Sequence, residues 1–167
     1  MKEKLLILVR HAHRDTSERE LDNGLSERGR KQAREVLKAF ETHWESDFKN
    51  GKIALISSPK KRCIETLDPL SKHLETAVQI SPLLDEQHSS ENSASMLKRI
   101  EQFISWWKND APPLTLACSH GDWLPVCTEE LVGSPVGFEK GAWVVISLEV
   151  DPASGPKARP QLKALRP

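Results

Sequence analysis

Short apolar runs alternate along the chain with longer stretches whose apolar residues recur at helical spacing. The run at residues 5–9 is continuous, which is typical of a strand buried on both faces of a sheet. After Ser26, a good helix N-cap, apolar side chains recur every three or four positions up to Trp44. Further strands are predicted at residues 53–56, 77–80, 114–117 and 143–150, and further helices at 59–74, 93–108 and 123–131.

The order of these elements, strand and helix in turn, predicts an α/β fold. We expect a three-layer α/β/α sandwich around a mostly parallel sheet of five or six strands. The length fits a single domain that spans residues 1–167. Several prolines follow Asp151, so an irregular tail is expected over residues 151–167. Ser58 precedes Pro59 and is predicted to be the N-cap of the second helix.

Charge and composition narrow the range of functions. Lysine and arginine together number 24, as do aspartate and glutamate, so the formal net charge is zero. Proteins that bind nucleic acid or a membrane surface normally carry a basic excess, so we expect neither partner. The N-terminal apolar run is too short for a signal peptide, so a cytoplasmic location is expected. The three cysteines lack CxxC spacing, which argues against a zinc site or a disulfide framework.

Arginines and histidines follow three of the predicted strands. The segments are Arg10-His11-Ala12-His13-Arg14 after the first strand, residues 57–62 with Arg62 after the second, and Ser119-His120-Gly121 after the fourth. Because ligands of open α/β sheets bind at the carboxyl ends of the strands, we expect these side chains to converge. Arginine matches phosphate oxygens with paired N–H groups, and a neutral histidine is a competent nucleophile. The set therefore predicts a phosphoryl group as the ligand.

Four stretches of the sequence, in order, resemble the motifs of the histidine phosphatase superfamily, also called phosphoglycerate mutase-like. They are Leu8-Val9-Arg10-His11-Ala12, residues 25–33, residues 57–66 and Ser119-His120-Gly121. The resemblance extends from about residue 4 to residue 131, with Ala12 at a position where the family usually has glycine. It implies a phosphoglycerate mutase-like fold. The short chain resembles the bacterial phosphohistidine phosphatase branch in particular.

The resemblance also implies roles for individual residues. His11 is expected to be the nucleophile that takes the phosphoryl group, and His120 is expected to stabilise the transition state. Arg10 and Arg62 are expected to bind the phosphate. Arg14 matches the second arginine of the acid phosphatase branch and is expected to join them.

A carboxylate in the middle of the chain often protonates the leaving group in this family. Glu86 is the first candidate here and Asp85 the second. The resemblance thus predicts a metal-independent phosphatase without a cofactor, which hydrolyses a phosphomonoester or a protein phosphohistidine through a phosphohistidine on His11. The expected partner is a phosphorylated small molecule or a phosphohistidine protein.

Two other functions also fit parts of the sequence. The same arginines would hold a phosphorylated ligand without turnover in a non-catalytic phosphate-binding module. His11, His13 and Asp15 form a His-x-His-x-Asp pattern, which occurs in metallohydrolases whose activity depends on a bound metal. The phosphatase is favoured because His11 and His120 both follow strands, together with arginines.

Overall fold

Strand β1, Lys2–Arg10, lies inside the sheet, and its side chains alternate between two hydrophobic cores. The computed structural model describes residues 2–48, 51–151, 153–156 and 160–166. Leu5 and Ile7 pack into one core, whereas Leu6 and Leu8 pack into the other. Burial on both faces is the reason that this stretch of the sequence is apolar without interruption.

The strands and helices predicted from the sequence are all present. After β1 they are α1 (Glu27–His43), α2 (Glu45–Phe48), β2 (Ile53–Ser57), α3 (Lys61–Leu74), β3 (Val78–Ile80), α4 (Ser93–Asn109), β4 (Leu114–Ser119), α5 (Trp123–Val132) and β5 (Trp143–Asp151). Helix α2 is a short addition after α1, and a 3₁₀ turn, Pro82–Leu84, lies between β3 and α4.

The first four strands run parallel to one another in the spatial order β3–β2–β4–β1, and β5 pairs antiparallel with β1. The register pairs Arg10 of β1 with Ser119 of β4, and Ser57 of β2 with Cys118 of β4. These pairings place the carboxyl ends of β1, β2 and β4 side by side at one edge of the sheet.

Helices cover both faces of the sheet. Helices α1 and α3 pack on one face, where Phe40 and Leu67 are buried, and α4 and α5 pack on the other, where Phe103 and Trp123 are buried. This arrangement confirms the three-layer α/β/α sandwich with a mostly parallel sheet. Among the described residues, none of the helices has the length and apolar character needed to cross a membrane.

The prediction of an irregular tail is wrong for residues 161–166. Strand β7, Gln161–Arg166, pairs antiparallel with β5, and the two-residue β6, Gly155–Pro156, also pairs with β5. Proline is compatible with a strand at its first residues or at a sheet edge, so the prolines of this region did not prevent pairing. With these additions the described part of the sheet has seven strands. Residues 152, 157–159 and 167 of the predicted tail lie outside the described residues.

The start of α1 rests on the chain segment that follows β1. Ser26 caps the helix by accepting the Gly29 N–H at 3.1 Å, and its own N–H donates to the His13 carbonyl at 3.0 Å. Gly29 faces the same carbonyl so closely that a Cβ there would overlap the His13 oxygen. Only a residue without a side chain allows this approach of two backbone segments.

We expect Gly29→Ala to lower the free energy of unfolding by about 1–3 kcal/mol, because the backbone of His13 must move to admit the new methyl group. At an open helix position, the same change stabilises a protein by roughly 0.5–1 kcal/mol. Urea unfolding measures the difference. Gly137→Ala is the matched control, since a Cβ at Gly137 meets no atom within 4 Å. Equal unfolding midpoints for the two variants would contradict the close approach.

Candidate active site

The pairing of the parallel strands continues by one residue beyond their ends. The His11 N–H donates to the Ser119 carbonyl at 3.0 Å, and the Ser58 N–H donates to the Cys118 carbonyl at 3.0 Å. These two hydrogen bonds extend the ladder on either side of β4. They bring the side chains of His11, Ser58 and His120 together at the edge of the sheet.

His11 is held in one orientation by the backbone that follows it. Its Nδ1 lies 2.8 Å from the Ala12 carbonyl oxygen. A carbonyl can only accept, so Nδ1 carries the hydrogen and Nε2 keeps its lone pair. The Ala12 N–H in turn donates to Thr66 Oγ1 at 2.9 Å, which ties this backbone to α3. His11 is 7% exposed and is therefore a fixed imidazole with one free nitrogen.

The surroundings of His11 disfavour its charged form. Burial lowers the pKa of His11 to about 4, and the positive charges of Arg62, Arg10 and Lys140 act in the same direction. The hydrogen bond to the Ala12 carbonyl opposes them. At neutral pH His11 is consequently uncharged, which is the form that can act as a nucleophile.

His120 lies across from His11, with the two ring centroids 5.3 Å apart. Its Nδ1 lies 3.3 Å from Nη2 of Arg62, which can only donate, so Nδ1 accepts. Nε2 then carries the hydrogen and donates to Ser58 Oγ at 2.7 Å. Ser58 Oγ donates onward to Asp85 Oδ1 at 3.3 Å. A buried chain of hydrogen bonds thus connects Arg62 through His120 and Ser58 to a carboxylate.

Burial lowers the pKa of His120 to about 3, and Arg62, His11 and Lys60 contribute to the same shift. The carboxylate of Asp122 acts against it. Both histidines are therefore neutral at neutral pH. An anionic ligand between them would offset only the smaller part of these shifts, the repulsion from neighbouring positive charges, because burial is the larger cause.

Arg62, in the first turn of α3, is 5% exposed. Its Nη2 donates to Glu86 Oε2 at 2.8 Å, and its Nη1 lies 3.8 Å from Asp22 Oδ1. Its buried Nε has no protein partner within the part of the chain that the structure describes. A guanidinium this deeply buried needs anions around it, and Arg62 retains an N–H group that a phosphate oxygen can accept from.

Arg10 occupies the other side of the cluster. Its Nη1 donates to the Phe138 carbonyl at 2.6 Å, while its buried Nε lacks a protein partner over the described ranges. The guanidinium lies against Gly121, where a Cβ would come within 2.9 Å of Arg10 Cζ and Nη2. The glycine after His120 thus leaves the space that the Arg10 guanidinium occupies.

The segment after the 3₁₀ turn carries two carboxylates into the site. Glu86 contacts Arg62 through Oε2, and its Oε1 lies 3.7 Å from Lys60 Nζ; its side chain is 39% exposed. Asp85 is buried and contacts Ser58. Both candidate acids are therefore close to His120, but Glu86 borders solvent whereas Asp85 lies inside the protein.

Arg14 is not part of this cluster. Its Nη2 donates to the Arg19 carbonyl at 3.4 Å, in the loop before α1. Its backbone forms an isolated antiparallel bridge with Leu25. Among the described residues, none of the hydrogen bonds or ion pairs of Arg14 joins it to Arg10, His11 or Arg62, and its role as a phosphate ligand stays a prediction.

His11, His13 and Asp15 do not form a metal-binding group. His13 Nδ1 lies 2.8 Å from Ser26 Oγ at the start of α1, and Asp15 Oδ1 accepts the Ser17 N–H at 2.9 Å. Over residues 2–48, 51–151, 153–156 and 160–166, no cluster of three or more His, Cys, Asp or Glu side chains has the arrangement to hold a metal ion. The spacing in the sequence is not matched by convergence in space.

The prediction that Ser58 caps α3 is wrong. The helix begins at Lys61, with Lys60 in the N-cap position and without a side-chain cap. Ser58 is buried, and its hydroxyl is used instead by His120 and Asp85. A serine before a proline can cap a helix or can bind another side chain, so the sequence does not show whether Ser58 caps α3 or contacts His120.

Two further charged residues at the site, Asp22 and Lys140, are not predicted from the sequence. Asp22 Oδ2 accepts the Lys61 N–H at 2.6 Å, next to its contact with Arg62. Lys140 lies just before β5. Because β5 runs antiparallel to β1, the first residue of β5, Trp143, pairs with Val9 near the end of β1, and this brings Lys140 close to the site. The direction of β5 is not visible in its hydrophobic pattern, so that pattern alone does not place Lys140 at the site.

A family model described as the histidine phosphatase superfamily (branch 1) matches residues 6–92, just over half of the chain. The matched range includes His11, Arg62 and Glu86. None of the curated proteins compared with the chain matches its sequence.

Several solved structures share the fold. A candidate alpha-ribazole-5'-P phosphatase from Escherichia coli is 17% identical, with a TM-score of 0.75 over 98% of this chain and 97% of that one. A mycobacterial glucosyl-3-phosphoglycerate phosphatase is 18% identical, with a TM-score of 0.72 over 96% and 97% of the two chains. The protein histidine phosphatase SixA, in complex with tungstate, is 14% identical, with a TM-score of 0.72 over 96% and 95%.

These comparisons confirm the resemblance on which the sequence prediction rests, and the phosphoglycerate mutase-like fold that it implied. The family match covers more than half of the residues, and the similar structures cover nearly the whole chain. The chain therefore belongs to the histidine phosphatase superfamily, branch 1.

Proposed function

We propose that this protein hydrolyses a phosphomonoester or a protein phosphohistidine through a phosphohistidine intermediate on His11, with no metal or cofactor taking part. The observation that carries the proposal is the neutral, oriented His11 imidazole close to the charges of Arg10 and Arg62, whose Nε atoms are buried. The Nε–H groups of Arg10 and Arg62 have no protein acceptor in the described residues, and a phosphate oxygen would supply one.

In the first step His11 Nε2 attacks phosphorus. The new Nε2–P bond forms as the bond from phosphorus to the leaving oxygen breaks. Arg10 and Arg62 neutralise the charge on the equatorial oxygens of the transition state. Glu86 is the group that donates a proton to the leaving oxygen, and its contact with Arg62 at 2.8 Å supports this role because it places the carboxyl group beside the phosphate site.

In the second step water attacks the phosphohistidine. The carboxylate of Glu86 takes a proton from the water, an O–P bond forms, and the Nε2–P bond breaks. Inorganic phosphate leaves and His11 returns to its neutral state. With a phosphohistidine substrate, the leaving atom of the first step is an imidazole nitrogen, which depends less on an acid than an alkoxide oxygen does.

His120 stabilises the phosphoryl group through Nδ1. In this structure Nδ1 accepts from Arg62. A phosphate monoanion that binds to Arg62 would displace this hydrogen bond and could transfer its own proton to Nδ1, which then donates it back to an equatorial oxygen. The hydrogen bonds from His120 Nε2 to Ser58 and from Ser58 to Asp85 favour the resulting imidazolium, since they end on a carboxylate.

The substrate class includes both small molecules and proteins. Among the similar structures, one is titled a phosphatase of glucosyl-3-phosphoglycerate and another a protein histidine phosphatase. Lys60 and Lys140 add positive charge beside the histidines, which favours an anionic substrate of either kind. Turnover distinguishes the proposed phosphatase from a non-catalytic phosphate-binding module, because such a module does not hydrolyse its ligand.

We expect the wild-type protein to hydrolyse an aryl phosphate in excess EDTA, and His11→Ala to lower kcat by at least about 1,000-fold, since the nucleophile is lost. A steady-state assay of aryl alcohol release measures both. His73→Ala serves as the control, because His73 is paired with Glu45 at 2.7 Å near the end of α3. Loss of wild-type activity in EDTA, or full activity of His11→Ala, would contradict the mechanism.

The buried neutral His11 also predicts a pH dependence of stability. The pKa of His11 is lowered in the folded state from 6.5 to about 4, so the unfolded chain binds the proton more tightly. Stability from this group is complete above pH 6.5 and is lost as the pH falls toward 4. Between pH 7 and pH 4.5, wild type should lose roughly 2 kcal/mol more unfolding free energy than His11→Asn. Urea unfolding at the two pH values measures this, and an equal loss in both proteins would contradict the burial argument.

A further inference from the structure

The segment that carries Asp85 and Glu86 is held by side chains rather than by a strand or helix. After the 3₁₀ turn Pro82–Leu84, no regular element begins until Ser93. Backbone carbonyls in such a segment need other partners when they face the protein. Ser119 Oγ donates to the Leu84 carbonyl at 2.7 Å, and Trp123 Nε1 donates to the Leu83 carbonyl at 2.8 Å.

Arg99, on α4, makes the largest number of these contacts. Its Nη1 donates to the carbonyls of Pro82, Leu83 and Asp85 at 3.1, 3.0 and 3.1 Å, and its Nη2 donates to the Glu86 carbonyl at 3.4 Å. The same guanidinium pairs with Glu91, through Nε at 2.7 Å and Nη2 at 2.8 Å. One side chain thus joins both ends of the segment to α4.

We propose that Arg99 is a positioning residue for the acid–base step, holding the Asp85–Glu86 backbone so that the Glu86 carboxylate faces Arg62 and His120. This inference rests on the proposed function of His11 and Glu86. Arg99 acts through the backbone and has no contact with the phosphate-binding side chains among its hydrogen bonds.

The chemistry of arginine suits this role. The guanidinium presents five N–H groups in a rigid plane, and lysine presents three on a single atom, so lysine cannot reach four carbonyls and a carboxylate together. The Arg99 side chain is only 17% exposed, so water does not readily replace these contacts. Without them the segment can shift, and a displacement of about 1 Å is enough to cost a catalytic group much of its effect.

The proposed role of Arg99 affects protonation of the leaving group but not phosphate binding or nucleophilic attack. Phosphate binding and attack depend on Arg10, His11, Arg62 and His120, and Arg99 donates a hydrogen bond to none of these residues. Protonation of the leaving oxygen depends on Glu86, and Arg99 holds the backbone of Glu86 in place. Loss of Arg99 should therefore slow substrates that need an acid and spare those that do not, whereas a general loss of structure would slow both.

The test compares Arg99→Met and Arg99→Lys with wild type on an aryl phosphate, which has a good leaving group, and an alkyl phosphate, which has a poor one. We expect Arg99→Met to lower kcat for the alkyl phosphate about 100-fold and for the aryl phosphate less than about 3-fold, with KM unchanged for both. Arg99→Lys should fall between Arg99→Met and wild type. Arg28→Met, at an exposed arginine of α1, is the matched control.

Glu86→Gln is measured beside them and should show the same dependence on the leaving group. Equal losses on both substrates, or no loss on the alkyl phosphate, would overturn the role of Arg99; Arg99→Lys decides the matter if Arg99→Met does not fold. A leaving-group effect in Glu86→Gln without one in the Arg99 variants overturns this inference and leaves the proposed function intact. Full activity of His11→Ala would instead overturn the proposed function.

Discussion

The buried Arg62 guanidinium is the group on which the geometry of the site depends. It lies in the first turn of α3, where a positive charge opposes the helix dipole, and it is 5% exposed. Its contacts with Glu86, Asp22 and His120 come from three separate segments of the chain. Burial of this cation therefore orders two loops and one histidine together, and it contributes to the low pKa values of His11 and His120.

Two arginines act on the acid-bearing segment from opposite layers of the sandwich. Arg62 belongs to α3, on one face of the sheet, and contacts the Glu86 side chain; Arg99 belongs to α4, on the other face, and contacts the backbone of the same segment. On the proposed function, one layer would thus bind the phosphate and the other would position the acid. The strand ends between the layers supply His11 and His120, whose neutral state follows from burial.

Much of this arrangement follows from the sequence, for a physical reason. Buried parallel strands have continuous apolar runs, and their carboxyl ends meet at one edge, so Arg10, His11, Arg62 and His120 are predictable from local pattern alone. Contacts that depend on tertiary packing cannot be predicted from local pattern. Ser58 has the pattern of a helix cap, Arg99 has that of an ordinary polar helix position, and Lys140 depends on the direction of β5. Strand β7 was missed because pairing with β5, rather than composition, orders it.

During turnover, we expect His11 to carry the phosphoryl group. A phosphohistidine survives in alkali and is lost in acid, so mixing the protein with an aryl phosphate, quenching in alkali within one turnover and mapping the modified peptide by mass spectrometry detects it directly. We expect a phosphoryl group on His11 that disappears after brief treatment with acid. A phosphoryl group on another residue, or an unmodified chain under conditions of rapid turnover, would contradict it.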